Sequence, residues 1–326
     1  MLDDNRVTGM NKENADHVTN TAEQPSEPPT SASNDPQGDE VTTRKPTIED
    51  IFAPPDVGQL LQKRKYHEAY VVSSRLMKFD SSFIGSKGLV DHCRCCMLVG
   101  EGEEAIRTRA QLKKLLIEKS QTTPHEIKEF ADSIRGEGRD MEAILFFQIA
   151  AEFYENKLKA GLVGIANCCL GVRESIESML SRDEELKSIV RTHVIPLMRG
   201  MRTMIQRSSD VGEEDRCLQE VWCLHRIEYT EYLVNDLDSR EKTLKEAIAM
   251  MKRVYKKKAG KFEVYGVCLN NLGITYELTS RPSDACQCFR EAIAAYAKAE
   301  DINDDERAKE IANSKRGLAG AKNKTN

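Results

Sequence analysis

The chain has 326 residues, 31% of them charged and only 6% aromatic, with a net charge of −5. That length holds one large domain or two small ones, the residue balance suits a helical repeat better than a β-rich fold, and the acidic total gives no reason to expect a nucleic-acid partner. The opening MLDDNRVTGM lacks the apolar core of a signal peptide, and no run of about 18 apolar residues offers a membrane-crossing helix.

Residues 1–50 read as a disordered arm. They carry five of the ten prolines and no Phe, Tyr or Trp. Eleven Asp and Glu face four Lys and Arg, so the arm is −7 (4 − 11) and the remainder +2 (44 − 42). Such a segment buries too little apolar surface to offset its ordering entropy. It is either a solvating tail or a regulatory arm, with Ser26, Ser31 and Thr47 as phosphorylation candidates by type. Order is expected from Ile51–Phe52 on. Val57, Leu60 and Leu61 start a helix, and Lys63–Phe79 forms a second with Ala69 as its small residue. Leu89, Cys93 and Cys96 share a third, which Gly100 and Gly102 break. Ala105, Ala110 and Leu112 lie on a fourth.

Residues 124–155 repeat the plan. Ile127, Phe130, Ala131 and Ile134 sit three and four apart, so they share one helical face. Gly136 and Gly138 turn the chain, and Ala143, Phe147 and Ala150 mark the return helix. The phrases YHEA, GEEA, DMEA and PSDA place the same small residue at 69, 105, 143 and 285. Residues 160–207 are helical by pattern without a clean repeat, and Pro196 is expected to kink or split a helix. Later the segment 223–233 aligns with 268–278, and 245–249 with 290–294, at an offset of 45 (268 − 223). At that offset Glu228 falls on the position of Gly273. Residues 303–320 form a charged closing helix with Ile311 and Leu318 facing inward, and 321–326 a frayed tail.

The sharpest pattern runs from Gly266 to Ala299. Leu269, Leu272, Gly273 and Tyr276 are followed, after a break at Ser280–Pro282, by Ala285, Phe289 and Ala292. This resembles the tetratricopeptide repeat (TPR), with Leu269 in place of the usual Trp and Ala297 where that repeat usually has Pro. The resemblance implies an all-α, right-handed solenoid of antiparallel helical hairpins over 51–320. It also implies that partner peptides or helices lie in a concave groove lined by first helices. In the sharpest repeat the groove positions are Val267, Asn270, Ile274 and Glu277. In the 124–155 repeat they are His125, Lys128, Asp132 and Arg135. Neither Asn270 nor Glu277 belongs to the packing stripe, so neither is expected to matter for folding. Gly273 is expected to tolerate Ala but not Leu. The family's carboxylate-gripping Lys and Asn set is not reproduced, and binding to Hsp70 or Hsp90 tails is not expected. Trp222, Tyr229 and Tyr232 share one helix face, as core or as an aromatic stretch of the groove.

Residues 124–320 also resemble a divergent 14-3-3 protein. The carriers are Tyr276-Glu277, Pro282 with Ala285-Cys286, Leu269-Asn270, Gly171-Val172-Arg173, and Tyr229 with Tyr232-Leu233. Where that family grips phosphate with a Lys and two Args, this chain has Asn167, Glu174 and Glu231. Of the phosphate pocket only Tyr232 remains. Loss and reversal of those cations repel a phosphate dianion.

Chemistry-bearing clusters are sparse. His92, Cys93, Cys95 and Cys96 are the densest set of metal-ligand types, but no second pair stands at a zinc-site spacing, so no metal or other cofactor is expected. With no secretion signal the ten cysteines read as reduced thiols of a cytoplasmic protein. No phosphate-cradling loop, nucleophile elbow or H-E-x-x-H is present. The basic run Lys252–Lys261 stands at a helix C-terminus, where cations favour the macrodipole. The expected function is therefore a non-enzymatic adapter whose partner is a protein, self-association included.

Overall fold

A computed structural model describes residues 56–79, 86–119, 123–155 and 159–324. The acidic arm 1–50, the onset at Ile51–Phe52 and the last two residues of the tail lie outside the described residues. No strand occurs among the described residues, and no helix there is long and apolar enough to cross a membrane.

The helices pair in order. The first hairpins are α1 (Val57–Gln62) with α2 (Tyr66–Phe79), α3 (Ser86–Val99) with α4 (Gly102–Lys119), and α5 (Pro124–Gly136) with α6 (Asp140–Tyr154). α7 (Lys159–Arg182) is followed by a bent return segment ending in α8 (Ile195–Arg207). Then come α9 (Glu213–Leu233) with α10 (Leu237–Tyr255), α11 (Glu263–Leu278) with α12 (Pro282–Tyr296), and the closing helix α13 (Asp304–Asn323). α13 runs past the expected end at 320, because Ala321 is fully buried against the preceding hairpin.

The hairpins share one turn. Arg64, Gly100, Gly138, Asn235 and Ser280 all have φ between 56° and 89°. In each case the next backbone N–H donates to the carbonyl five residues back: Lys65 to Leu60, Glu101 to Cys96, Arg139 to Ile134, Asp236 to Glu231 and Arg281 to Tyr276. This is the Schellman closure, which satisfies orphan carbonyls at a helix end. Five residues after each turn residue comes the small position: Ala69, Ala105, Ala143, Arg240 and Ala285. The register of α9 and α10 is therefore that of the other hairpins, although its small pair has become Glu228 and Arg240.

The return segment after α7 has another cause. Pro196 has no N–H and its ring clashes with the carbonyl four residues back. The chain answers with a 3₁₀ turn at Glu184–Leu186 and a π turn at Val190–Val194, so that Pro196 falls in the first turn of α8.

Packing follows a second rule. Each return-helix aromatic needs a small residue above it. Phe147 and Phe289 are both buried, and a Cβ on Gly171 would lie 2.3 Å from the Phe147 ring. Phe289 is enclosed by Gly273 on one side and Gly317 on the other. α6 is buried along almost its whole length. One core spans α3 to α9 and a second spans α9 to α13. α9 serves both, with Cys223 and Ile227 facing one and Val221 and Leu224 the other. Phe130 does not share the buried stripe of α5: it is 47% exposed, its ring edge-on to Phe146 at 4.9 Å.

Candidate functional site: the first-helix face of α7, α9 and α11

The expected groove residues of α9 lie on one face. Trp222 and Tyr229 are half-buried, and Tyr232 is 42% exposed. Each ring carries a guanidinium. Arg226 stands 4.8 Å from the Trp222 centroid, Arg173 of α7 5.0 Å from that of Tyr229, and Arg240 4.4 Å from that of Tyr232. Such stacking is favourable because the ring face is electron-rich. The Tyr229 hydroxyl donates to Glu177 at 3.0 Å.

The three arginines differ in what else they touch. Arg240 donates to Glu228 at 2.9 Å and is bound into the core. Arg173, almost buried, reaches Glu174 and Glu177 only at 3.5 and 3.4 Å, and its Nε has no partner. Arg226 is 8% exposed, and among the described residues no carboxylate or carbonyl hydrogen-bonds its guanidinium. Burial, and then the charge of Arg173 nearby, lowers its pKa below the usual arginine value. A guanidinium carries five donors, and those of Arg226 stay open to solvent.

Beneath this row lies a charged core. Glu228 is fully buried and accepts from His225 at 2.9 Å, Arg240 at 2.9 Å and Asn271 at 2.7 Å. Burial pushes its carboxyl up, but His225 and Arg240 outweigh burial and hold it below the ordinary glutamate range. The charge at the Gly273 position is thus met by a charge at the Ala285 position.

The α11 residues are engaged within the chain. Val267 and Ile274 pack as half-buried members of the second core, beside Ile311 and Leu318 of α13. Asn270 accepts a hydrogen bond at 2.9 Å from Ser314, whose side chain is fully buried. Glu277 pairs with Lys324 at 3.6 Å. Asn270 thus ties α11 to α13, whereas the surface pair of Glu277 with Lys324 contributes little. The stripe Leu269, Leu272 and Tyr276 is buried as expected.

The positions where the 14-3-3 resemblance expects cations are also accounted for. Glu174 pairs with Arg135, which also holds Asp132 at 3.0 Å. Asp132 in turn accepts from Lys128 at 2.6 Å. Glu231 is fully buried with Arg199 at 2.8 Å, and burial pushes its carboxyl up to about 7. Asn167 is half-buried. At the other end of the face Glu263 begins α11. Burial, with Asp301, Glu306 and Glu310 nearby, raises its carboxyl to about 7.

A cleft of about 260 Å³ between α8, α9 and α10 is lined by Arg199, Arg202 and Thr243, but its arginines are spent on Glu231, Glu220 and Glu246. The basic run forms a 3₁₀ turn after α10, where Lys261 pairs with Glu300 at 2.6 Å and Lys252 with Glu291 at 3.7 Å. All ten cysteines are buried, and burial pushes the Cys95 and Cys217 thiols up to about 11. One set of potential metal-ligating atoms converges among the described residues: His92, Cys96 and Glu104. A search for a second Cys/His pair misses it, because Glu104 reads in sequence as an acid in the first turn of a helix.

No family model matches the chain, and no curated protein matches it.

Proposed function

We propose that this protein is a non-enzymatic protein–protein interaction adapter that holds a partner peptide or helix along the first-helix face of a TPR-like solenoid. The observation that supports this most is Arg226. A cation stacked on Trp222 that finds no acceptor among the described residues keeps its donors open to solvent, and a peptide carbonyl or carboxylate would fill them. Arg173 and the open ring of Tyr232 extend the same surface, so an extended chain laid across α7 and α9 would find donors and stacking faces in alternation. Stacked aromatics and arginines are the residue types that dominate interface energetics.

Affinity capture with the full chain, compared with Arg226→Gln and Tyr229→Ala, tests this. A partner held by the wild-type chain and lost by both variants, with their melting unchanged, supports the reading. A partner held equally by all three chains places the working surface elsewhere. The 14-3-3-like reading is separated by one titration. Matched phosphorylated and unphosphorylated forms of a bound peptide should bind alike, since Glu174 and Glu231 stand where the phosphate cations are needed. A tenfold preference for the phosphorylated form favours the 14-3-3-like reading.

A further inference from the structure

The hairpin of α3 and α4 carries a cluster that the groove does not use. His92 and Cys96 are one turn apart on α3, and Glu104 lies in the first turn of α4. Gly100, with φ of 89°, folds the second helix back so that Glu104 faces them. His92 Nε2 is 3.1 Å from Glu104 Oε1 and 3.6 Å from Cys96 Sγ, and the three donor atoms lie within 4.8 Å of one another. In a tetrahedral zinc site, bond lengths of about 2.0–2.3 Å put neighbouring ligand atoms about 3.3–3.8 Å apart. The two spacings from His92 Nε2, 3.1 and 3.6 Å, are close to that.

The proton inventory gives the second argument. The Ser73 hydroxyl donates its one proton to the Tyr70 carbonyl at 3.0 Å. Its oxygen is also 2.9 Å from His92 Nδ1, so a ring protonated at Nδ1 can donate to it. In that tautomer Nε2 presents a lone pair to a cation, and without a cation the other tautomer donates Nε2–H to Glu104. The Tyr70 hydroxyl donates to Glu104 Oε2 at 2.9 Å, which leaves Oε1 turned to His92. Three electron-pair donors converge, each already oriented by an outer hydrogen bond or by the helix. That outer arrangement is what fixes histidine and carboxylate ligands at metal centres.

We propose that His92, Cys96 and Glu104 bind a zinc ion, with a fourth position left to water. The charges balance: a dication meets one thiolate and one carboxylate, giving a neutral site where His92 is 1% and Cys96 0% exposed. The protons balance too. Cys96 releases its thiol proton to solvent as the Zn–S bond forms, while His92 and Glu104 bind without losing one. Metal uptake therefore weakens as pH falls. Glu104, with its side chain 32% exposed, provides the path to solvent. Cys93 and Cys95 stay out: Cys93 donates to the Ala105 carbonyl at 3.5 Å, and Cys95 packs against α1 and α2. The ion would staple α3 to α4, independently of any partner in the groove.

The test uses the full chain, stripped with a chelator and titrated with cobalt(II), which reports thiolate ligation by a charge-transfer band. One equivalent should bind and be displaced by one equivalent of zinc. Glu104→Gln keeps all ten cysteines and should lower affinity at least tenfold. Cys96→Ser should remove the charge-transfer band, Cys93→Ala should leave it, and Ser73→Ala should weaken binding tenfold to a hundredfold. Circular dichroism of each variant separates loss of the site from loss of the fold. Absence of stoichiometric binding, or binding unchanged by Glu104→Gln in a folded chain, would overturn the proposal. The cluster would then be a buried histidine–glutamate pair beside a thiol.

Discussion

Phe289 is held between two glycines, and that makes a sharp stability test. A Cβ on Gly273 would lie 2.8 Å from Phe289 Cε1 and 3.0 Å from Cδ1 and Cζ. The ring is tight against α13 as well, since a Cβ on Gly317 would lie 2.6 Å from Cζ. Gly to Ala inside a helix should gain about 0.5–1 kcal/mol from backbone entropy and propensity. Overpacking a fixed ring costs about 1–3 kcal/mol. The overlap wins, so Gly273→Ala should destabilise by about 0.5–2 kcal/mol net, contrary to the mild effect that the sequence suggests. Gly200, in the middle of α8, has nothing within 4 Å of its would-be Cβ and serves as control. Gly200→Ala should stabilise by about 0.5–1 kcal/mol. Shrinking the ring should rescue the clash: Phe289→Leu in the Gly273→Ala background should cost less than Phe289→Leu alone. Urea unfolding of the four variants reads all of these values, with midpoints compared at constant slope. If Gly273→Ala raises stability as much as Gly200→Ala does, Phe289 is not seated between the two helices, and the packing rule proposed for Phe147 and Gly171 fails with it.

Removing Arg240 strands the fully buried Glu228, so Arg240→Ala should cost about 3–5 kcal/mol. The pair Glu228→Gly with Arg240→Ala, which restores the small-residue pattern of the other hairpins, should cost less than the sum of the singles by at least about 1 kcal/mol in a double-mutant cycle. The Glu263 carboxyl is raised to about 7 from an ordinary 4.5. A raised acid contributes stability that is complete below pH 4.5 and lost as pH rises through 7. Melting should therefore fall between pH 5 and 8, and Glu263→Gln should flatten that slope, raising Tm at pH 8 and leaving it nearly unchanged at pH 4.5. Equal shifts at both pH values would refute the assignment. Ser280 holds φ at 57°, a conformation that costs a side chain free energy. Ser280→Gly should raise stability by about 0.5–1 kcal/mol in thermal or urea unfolding, and a loss would argue against the shared turn.

The alternation of helices was legible in the chain because burying one helical face imposes three- and four-residue spacing on apolar side chains. Ala69, Ala105, Ala143 and Ala285 could be aligned on that basis, as could the break at Ser280–Pro282. The same logic found the α9 face that carries Trp222, Tyr229 and Tyr232. It could not find Arg240 as the partner of Glu228, nor Arg226 as a cation without an acceptor. Periodicity reports which face a residue occupies, not which charge from another helix meets it there. It also missed that Asn270 accepts from Ser314, because the two are 44 residues apart. Nor could it see Glu104 close on His92 and Cys96, where one left-handed turn at Gly100 decides the geometry. Local spacing fixes secondary structure because it depends on neighbours along one helix. Pairing of buried charges and ligands depends on contacts between helices, and only their packing decides it.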